Sequence, residues 1–173
     1  MYKILIIYYS MNGNTDYAAH RIAEKTGADL LRIEPVKAYP DKGIRKYLWG
    51  GKSALMSEKP PLQPYSFSAD DYDRIVLAFP VWAGTVAPPL RTFVSENLFT
   101  LQSKVLFAYA CQAGSGGEQA IKKLRRMLYL RAFRATMVLN DPKDNPSDET
   151  ESKLQDFCDA LLAAPQRNTS EYD

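Results

Sequence analysis

The chain has 173 residues, of which 46% are hydrophobic and 24% are charged, a composition typical of one globular domain with a single packed core. Its 22 basic and 20 acidic residues give a formal net charge of +2, and the basic residues cluster only modestly, at 122–134. Because they alternate there with apolar residues, as on a solvated helix face, we expect no nucleic-acid-binding surface. No apolar stretch approaches the roughly 20 residues of a transmembrane helix, so we expect no membrane span.

The two cysteines, Cys111 and Cys158, are too few for a disulfide framework and lack the spacing of metal ligands. They indicate free thiols in a reducing cytoplasm, without a bound metal. The amino terminus carries a single Lys before an apolar run, which is typical of a first strand and not of a signal peptide.

The hydrophobic pattern alternates between strands and helices along the chain. Runs rich in β-branched and aliphatic residues predict five strands, at 3–9, 29–34, 74–79, 104–111 and 132–139. Apolar residues at helical spacing predict helices at 15–25, from 88 onward, at 118–130 and from about 145 onward. This alternation is typical of a doubly wound α/β fold, with a five-stranded parallel sheet in the order 2-1-3-4-5 and helices on both faces. We expect one domain over residues 1–164, followed by a polar, disordered tail at 165–173.

The connection between the second and third predicted strands is unusually long, at residues 35–73. We predict a helix over 41–56, weakened at a glycine pair, followed by an irregular excursion. Connections of this length are often functional.

A polar turn, SMNGNT at residues 10–15, follows the first predicted strand and leads directly into a helix. Such a turn can aim several backbone N–H groups at one anion, and the helix dipole favours negative charge there. The side chains of Ser10, Asn12, Asn14 and Thr15 can add donors, while Gly13 permits a backbone geometry that a β-carbon obstructs. An ordinary N-capped helix explains the same residues, so the turn alone leaves both interpretations open.

The residue types that the turn lacks narrow the choice of anion. It has neither the Lys-Ser/Thr of nucleoside triphosphatases nor the G-x-G-x-x-G of dinucleotide-binding domains. Since it contains no basic residue, a phosphate would be held by dipoles alone, which suits a terminal monoester.

Two other protein classes have a similar fold, but this chain lacks the residues that each of them requires. A receiver domain needs acidic residues after the first strand and an Asp after the third, where this chain has Tyr8-Tyr9-Ser10 and Pro80. A small tyrosine phosphatase needs an Arg six positions after its Cys, but Gly117 follows Cys111 at that distance.

Two further loops follow predicted strands at the same edge, because the carboxyl ends of parallel strands lie together. PVWAGT, at 80–85, contains Trp82, which can stack on a flat heteroaromatic ring or pack beneath the loop. YACQAGSGGE, at 109–118, contains three closely spaced glycines, which can present N–H groups to a ring edge or form a flexible helix start. Each loop is ambiguous alone, but their convergence at one edge favours a ligand site.

These segments resemble the flavin-binding loops of flavodoxins. SMNGNT resembles the family's phosphate loop, and FPVWAGTVAPPLRTFV is similar to the third-strand loop of members with a Pro-x-Trp-x-Gly element before a proline-rich helix start. ACQAGSGGE stands where the family's fourth-strand loop meets the isoalloxazine. The resemblance covers almost the whole chain in order and implies FMN as the cofactor. It departs at Asn12, which replaces the usual hydroxyl residue, and at 112–115, which lack the frequent stacking Tyr.

The resemblance implies that residues 10–15 hold the FMN phosphate, that the third-strand loop lies beside the ring near N5, and that the fourth-strand loop approaches its pyrimidine side. The implied FMN-binding residues are Ser10, Met11, Asn12, Gly13, Asn14, Thr15, Pro80, Val81, Trp82, Ala83, Gly84, Ala113, Gly114, Ser115, Gly116 and Gly117. No residue is implied as a catalytic acid, base or nucleophile. With no Tyr at 112–115, one ring face is left to Trp82 or to a residue of the 35–73 segment.

The resemblance implies electron transfer between FMN and a redox partner protein. Flavodoxins that carry electrons are typically acidic, whereas this chain has a sequence pI of about 8.4. The near-neutral charge favours an alternative, an NAD(P)H-dependent FMN oxidoreductase that reduces a small acceptor such as a quinone. Aromatic residues of the 35–73 segment would then form a substrate wall: Tyr39, Tyr47, Trp49, Tyr65 and Phe67. We expect a cytoplasmic monomer or homodimer, and a flavin-free interaction domain is the remaining alternative.

Overall fold

A parallel sheet forms the centre of the computed structural model, which describes residues 1–40 and 57–164. Its five parallel strands lie in the order β2-β1-β3-β5-β6, and a short strand, β4, pairs antiparallel with the end of β3. The strands are β1 (Ile4–Tyr8), β2 (Asp29–Arg32), β3 (Arg74–Trp82), β4 (Thr85–Val86), β5 (Val105–Gln112) and β6 (Thr136–Asn140). Without the added β4, this is the predicted order 2-1-3-4-5, so the predicted fold is confirmed.

Helices cover both faces of the sheet. They are α1 (Asn14–Thr26), α2 (Pro88–Glu96), α3 (Leu98–Gln102), α4 (Gly117–Met127) and α5 (Asp148–Leu162), with a 3₁₀ turn at Ala69–Asp71. Ile4, Ile6 and Tyr8 of β1 pack with α1 and α5, whereas Leu5 and Ile7 pack with α2 and α4. Each central strand is therefore buried on both faces, which explains its continuous apolar sequence. Within the two described ranges, no helix is long and apolar enough to cross a membrane.

Local hydrogen bonds move two helix ends away from their predicted positions. The helix predicted to reach residue 130 ends at Met127, because Tyr129 adopts a left-handed φ of 54° and the N–H of Leu130 bonds back to the carbonyl of Arg125 at 3.1 Å. The last helix begins at Asp148 instead of 145, because the Ser147 hydroxyl accepts the N–H of Thr150 at 3.1 Å as its N-cap.

Two strand ends also differ from the prediction. β3 continues to Trp82 instead of ending at 79, because its last residues pair with β4. The last strand begins at Thr136 instead of 132. Before Thr136 the chain makes only isolated hydrogen bonds to β5, such as that from the Arg134 N–H to the Leu106 carbonyl at 2.8 Å. The other predicted strand and helix ends within the described ranges agree to within two residues.

The described parts of the long connection join the sheet on the side of β2. An isolated antiparallel β-bridge between Pro35 and Leu62 joins its two described parts. The N–H of Val36 also donates to the Pro61 carbonyl at 2.9 Å. The ring centroids of Tyr65 and Phe67 each lie 5.2 Å from that of Phe93 in α2, so both partly buried rings pack against the core. The predicted helix at 41–56, with Tyr47 and Trp49, lies outside the described residues, as does the predicted tail.

Candidate functional site

The loops after β1, β3 and β5 meet at the carboxyl edge of the sheet, as predicted. The ring centroids of Tyr9 and Trp82 are 5.8 Å apart, which joins the first loop to the second. A β-carbon built on Gly116 would lie 2.9 Å from Gly84 Cα, so the second and third loops touch through their backbones. A fourth loop, residues 141–144 after β6, contacts the first through Asn14.

The turn at 10–15 has the geometry of an anion site. Gly13 is the N-cap of α1, with a left-handed φ of 94° and no side chain to cap the helix. The N–H groups of Asn14 and Thr15 lack intrahelical acceptors because they lie in the first turn, and that of Asp16 bonds to Ser10 Oγ at 3.1 Å. Ser10, Asn14 and Thr15 are buried at this helix end. The turn therefore fits a phosphate bound by backbone N–H groups and the helix dipole.

The Asn14 side chain and the Thr15 carbonyl fix this turn to its neighbours. The Asn14 carboxamide donates to Asp144 Oδ2 at 2.9 Å and accepts the Lys143 N–H at 2.8 Å. Burial raises the pKa of the Cys111 thiol to about 12, and the nearby Thr15 hydroxyl opposes that rise. The phenol of Tyr109 donates to the Thr15 carbonyl at 2.8 Å. The Asn14 side chain therefore shapes the turn, and the backbone N–H groups of Asn14 and Thr15 are donors available to a ligand.

The loop after β3 is a tight β-hairpin. Its central residues, Ala83 and Gly84, have φ values of 50° and 65°, as a type I′ turn requires, and they join Trp82 to Thr85. The buried guanidinium of Arg91 holds the returning strand, donating to Thr85 Oγ1 and, at 3.0 Å, to the Val86 carbonyl.

Trp82 stands at this edge within an aromatic cluster. Its indole meets Tyr9 and Tyr39 edge-on, with centroids 5.8 Å and 5.2 Å away. Both tyrosines are buried, and burial raises the pKa of the Tyr9 phenol, so Tyr9 stays neutral. Trp82 itself is only partly buried. The indole is thus packed on the two tyrosines and partly exposed, and Tyr39 is a contact from the described part of the 35–73 segment.

The loop after β5 is organised by Gln112. The Gln112 carboxamide accepts the Gly117 N–H at 2.7 Å and donates to the Gly114 carbonyl at 3.1 Å and to Asn140 Oδ1 at 2.7 Å. Gly117 is buried, and a β-carbon there would lie 2.5 Å from Val138 Cγ1, so this glycine packs against β6. The exposed residues of the loop are 113–115.

The remaining implied residues take three different positions. Pro80 is buried within β3, Val81 and Met11 are half-buried against the core, and Asn12 is exposed. Sequence reasoning missed Gln112 and the loop at 141–144. The second had a usable signal, because a polar segment, NDPKDN, directly follows the last predicted strand at the same edge.

The sequence profile of flavodoxins matches residues 3–155 of this chain. The chain belongs to the flavodoxin family. In flavodoxins, which are the standard example of this strand order, FMN lies at the switch point between β1 and β3. That is the position of the turn at 10–15 and of Trp82 in this chain, and the family match supports FMN as the cofactor.

Solved structures share the fold of this flavodoxin-family chain. A candidate flavoprotein from Bacteroides eggerthii is 20% identical, with 95% of this chain and 100% of that chain covered at a TM-score of 0.73. A flavoprotein from Lactobacillus acidophilus in complex with FMN is 18% identical, with 83% and 96% covered at 0.63. An apo-form NADH:FMN oxidoreductase is 16% identical, with 98% and 94% covered at 0.57. At these identities the likeness is one of fold.

Proposed function

We propose that this chain binds FMN at the carboxyl edge of the sheet and acts as an electron-transfer flavoprotein. The observation that carries the proposal is the juxtaposition of an anion-receptive turn at the end of β1 with a partly exposed indole at the end of β3. Family membership supports FMN as the ligand, and so does the shared fold of a flavoprotein solved with FMN. Bound FMN supplies one- and two-electron chemistry.

The turn at 10–15 binds the phosphate end of the cofactor. The N–H groups of Asn14 and Thr15 donate to the phosphate, and the Ser10 hydroxyl, whose oxygen accepts from Asp16, keeps its proton for donation. Because the loop at 141–144 already fixes the Asn14 side chain, the turn is ordered before binding and loses little entropy.

Trp82 and the exposed residues 113–115 bind the ring end. The two buried tyrosines, Tyr9 and Tyr39, hold the indole in one orientation, so it presents a preformed apolar surface to a flat ring. In this proposal the protein side chains bind and orient the redox group, and the reacting partner is a redox protein or a small acceptor such as a quinone.

The second candidate function is NAD(P)H-dependent reduction of a small acceptor through bound FMN. The formal net charge of +2 favours it, because an electron carrier steered by an acidic surface would be strongly negative. The shared fold with an NADH:FMN oxidoreductase, over 98% of this chain, adds support. Of the aromatic residues considered for a substrate wall that lie within the described ranges, Tyr39 has a ring in contact with Trp82.

The identity of the cofactor tests the proposal. The purified protein is saturated with added FMN, washed free of excess and denatured, and the released flavin is identified by chromatography. We expect FMN in stoichiometric amount with the chain. A colourless protein that takes up no added FMN would contradict the proposal.

Steady-state kinetics separate the two candidate functions. NADH or NADPH is mixed with a quinone and the FMN-loaded protein, without an added reductase, and the control is free FMN at the same concentration. An electron carrier is expected to oxidise the nucleotide no faster than the control, whereas turnover well above it would establish the oxidoreductase.

A further inference from the structure

A cationic side chain from the fourth loop covers the turn at 10–15. Lys143 lies directly against Gly13: a β-carbon built on this glycine would lie 3.2 Å from Lys143 Cε and 3.6 Å from Nζ. The turn contains no basic residue of its own. The fold therefore adds a positive charge to a site that the sequence suggested would rely on dipoles alone.

Lys143 is held beside the turn through its backbone N–H and through its ammonium group. Its backbone N–H donates to Asn14 Oδ1 at 2.8 Å, and its Nζ lies 3.1 Å from Asp144 Oδ1. The second oxygen of Asp144 accepts from Asn14 Nδ2 at 2.9 Å, which closes the network. The three residues thus hold the ammonium beside Gly13.

The ion pair of Lys143 can be exchanged at small cost. The two side chains are 45% and 55% exposed, and exposed pairs of this kind contribute little. A phosphate monoester carries more negative charge than one carboxylate, so it competes well for the ammonium.

Arg32 is a second cation near the turn, but it faces a different group. Its guanidinium donates to the carbonyl of Ser10 at 3.2 Å and pairs with Asp16 and Glu34. A carbonyl oxygen repels an anion, so the side of the turn that Arg32 contacts is unsuited to a phosphate. Lys143 instead covers Gly13, the N-cap whose neighbouring N–H groups are the anion donors.

We propose that Lys143 binds the phosphate of the cofactor and makes the site selective for a phosphorylated flavin over riboflavin. This inference rests on the proposed function, because it concerns the phosphate of FMN. The loop after β6 thereby adds a charged contact to the phosphate donors of the turn at 10–15.

The test compares Lys143→Gln with a matched control, Lys153→Gln. Lys153 is also paired with a carboxylate, Glu149 at 2.6 Å, and is 40% exposed, but it lies on α5 outside the four loops. Binding of FMN and of riboflavin to the apo-protein is measured by flavin fluorescence at about 20 mM and about 150 mM ionic strength. Lys143→Gln is expected to weaken FMN binding about three- to tenfold at the lower ionic strength and less at the higher one. Riboflavin binding should be unchanged.

Two further results define the outcome. Lys143→Arg should retain most of the FMN affinity, and Lys153→Gln should behave as wild type. Suppose that the wild type binds FMN. If Lys143→Gln then binds FMN as tightly and as selectively as the wild type, or loses affinity for FMN and riboflavin by the same factor, the role of Lys143 is overturned while the proposed function stands. If wild type binds neither flavin, the proposed function itself fails.

A second variant keeps the inference testable if Lys143→Gln does not fold. Asp144→Asn preserves an acceptor for Asn14 and removes the negative charge beside the ammonium. Its preference for FMN over riboflavin should be greater than that of the wild type. Weaker relative binding of FMN by this variant would overturn the inference.

Discussion

At Gly116, the loop after β5 touches the hairpin after β3. A β-carbon there would lie 2.9 Å from Gly84 Cα, and the backbone has a φ of 97°, which side chains other than glycine rarely adopt. Backbone atoms cannot move aside as a flexible side chain can, so the steric conflict and the strained φ add together.

Gly116→Ala is therefore expected to lower the free energy of unfolding of the apo-protein by about 2 kcal/mol. The matched control is Gly114→Ala in the same loop, because no atom lies within 4 Å of a β-carbon there. The control should change stability by less than about 0.5 kcal/mol. Urea unfolding measures both, and equal stability of the two variants would contradict the contact.

Trp82 gives the complementary test at the ring end of the proposed site. Trp82→Ala removes aromatic surface that both flavins would use, so FMN and riboflavin should lose affinity by the same factor, about tenfold. Trp82→Phe, which keeps an aromatic ring, should lose less. Fluorescence titration of apo-protein measures both flavins, and a loss confined to FMN would argue against a contact between the indole and the ring.

Among the helices, α5 depends on a buried cation from the sheet. Arg74, the first residue of β3, donates to the carbonyls of Ala160, Leu161 and Ala163 at the end of α5, the last at 2.6 Å. The guanidinium also lies 3.4 Å from the ring centroid of Tyr2. These carbonyls have no intrahelical partners, and a positive charge at a helix C-terminus is favourable.

Arg74→Met is expected to lower the free energy of unfolding by about 2–3 kcal/mol, because it leaves the buried Leu161 carbonyl and two partly buried carbonyls without donors. Arg74→Lys keeps the charge but loses the planar fork, so an intermediate loss is expected. Chemical unfolding followed by circular dichroism measures the series. A fully stable Arg74→Met variant would show that α5 does not need this cap.

The spacing of apolar residues along the sequence predicted the five parallel strands and the four longer helices of the described ranges, because most residues of these elements face a core. It missed β4, since two residues carry no period and Ala83 adopts its left-handed conformation without the usual glycine or asparagine. It also placed the end of α4 too late, because Leu130 continues the apolar pattern although Tyr129 has already turned the chain.

At the scale of the whole molecule, the three predicted loops do converge, because strand order alone places them at one edge. The bonds of Asn14 to Lys143 and Asp144 join residues 129 and 130 positions apart, and no local pattern encodes such a contact. The predicted meeting of the three loops at one edge is therefore confirmed, whereas the bridge that the Asn14 side chain makes to the loop at 141–144 was not predicted.

The net charge of +2 belongs to the molecule as a whole and bears on its partners more than on its cofactor. We propose that flavin binding depends instead on the edge where the four loops meet, and that affinity for a flavin comes from two separate contacts, with the phosphate and with the ring.

Titration of the wild-type apo-protein with FMN and with riboflavin tests this claim most directly. The fluorescence of each flavin is followed to saturation under the same conditions. We predict that one FMN binds per chain, with its fluorescence quenched, and that riboflavin binds to the same site more weakly because it lacks the phosphate. Failure to bind FMN would rule out this site, and equal affinity for both flavins would rule out the phosphate contact.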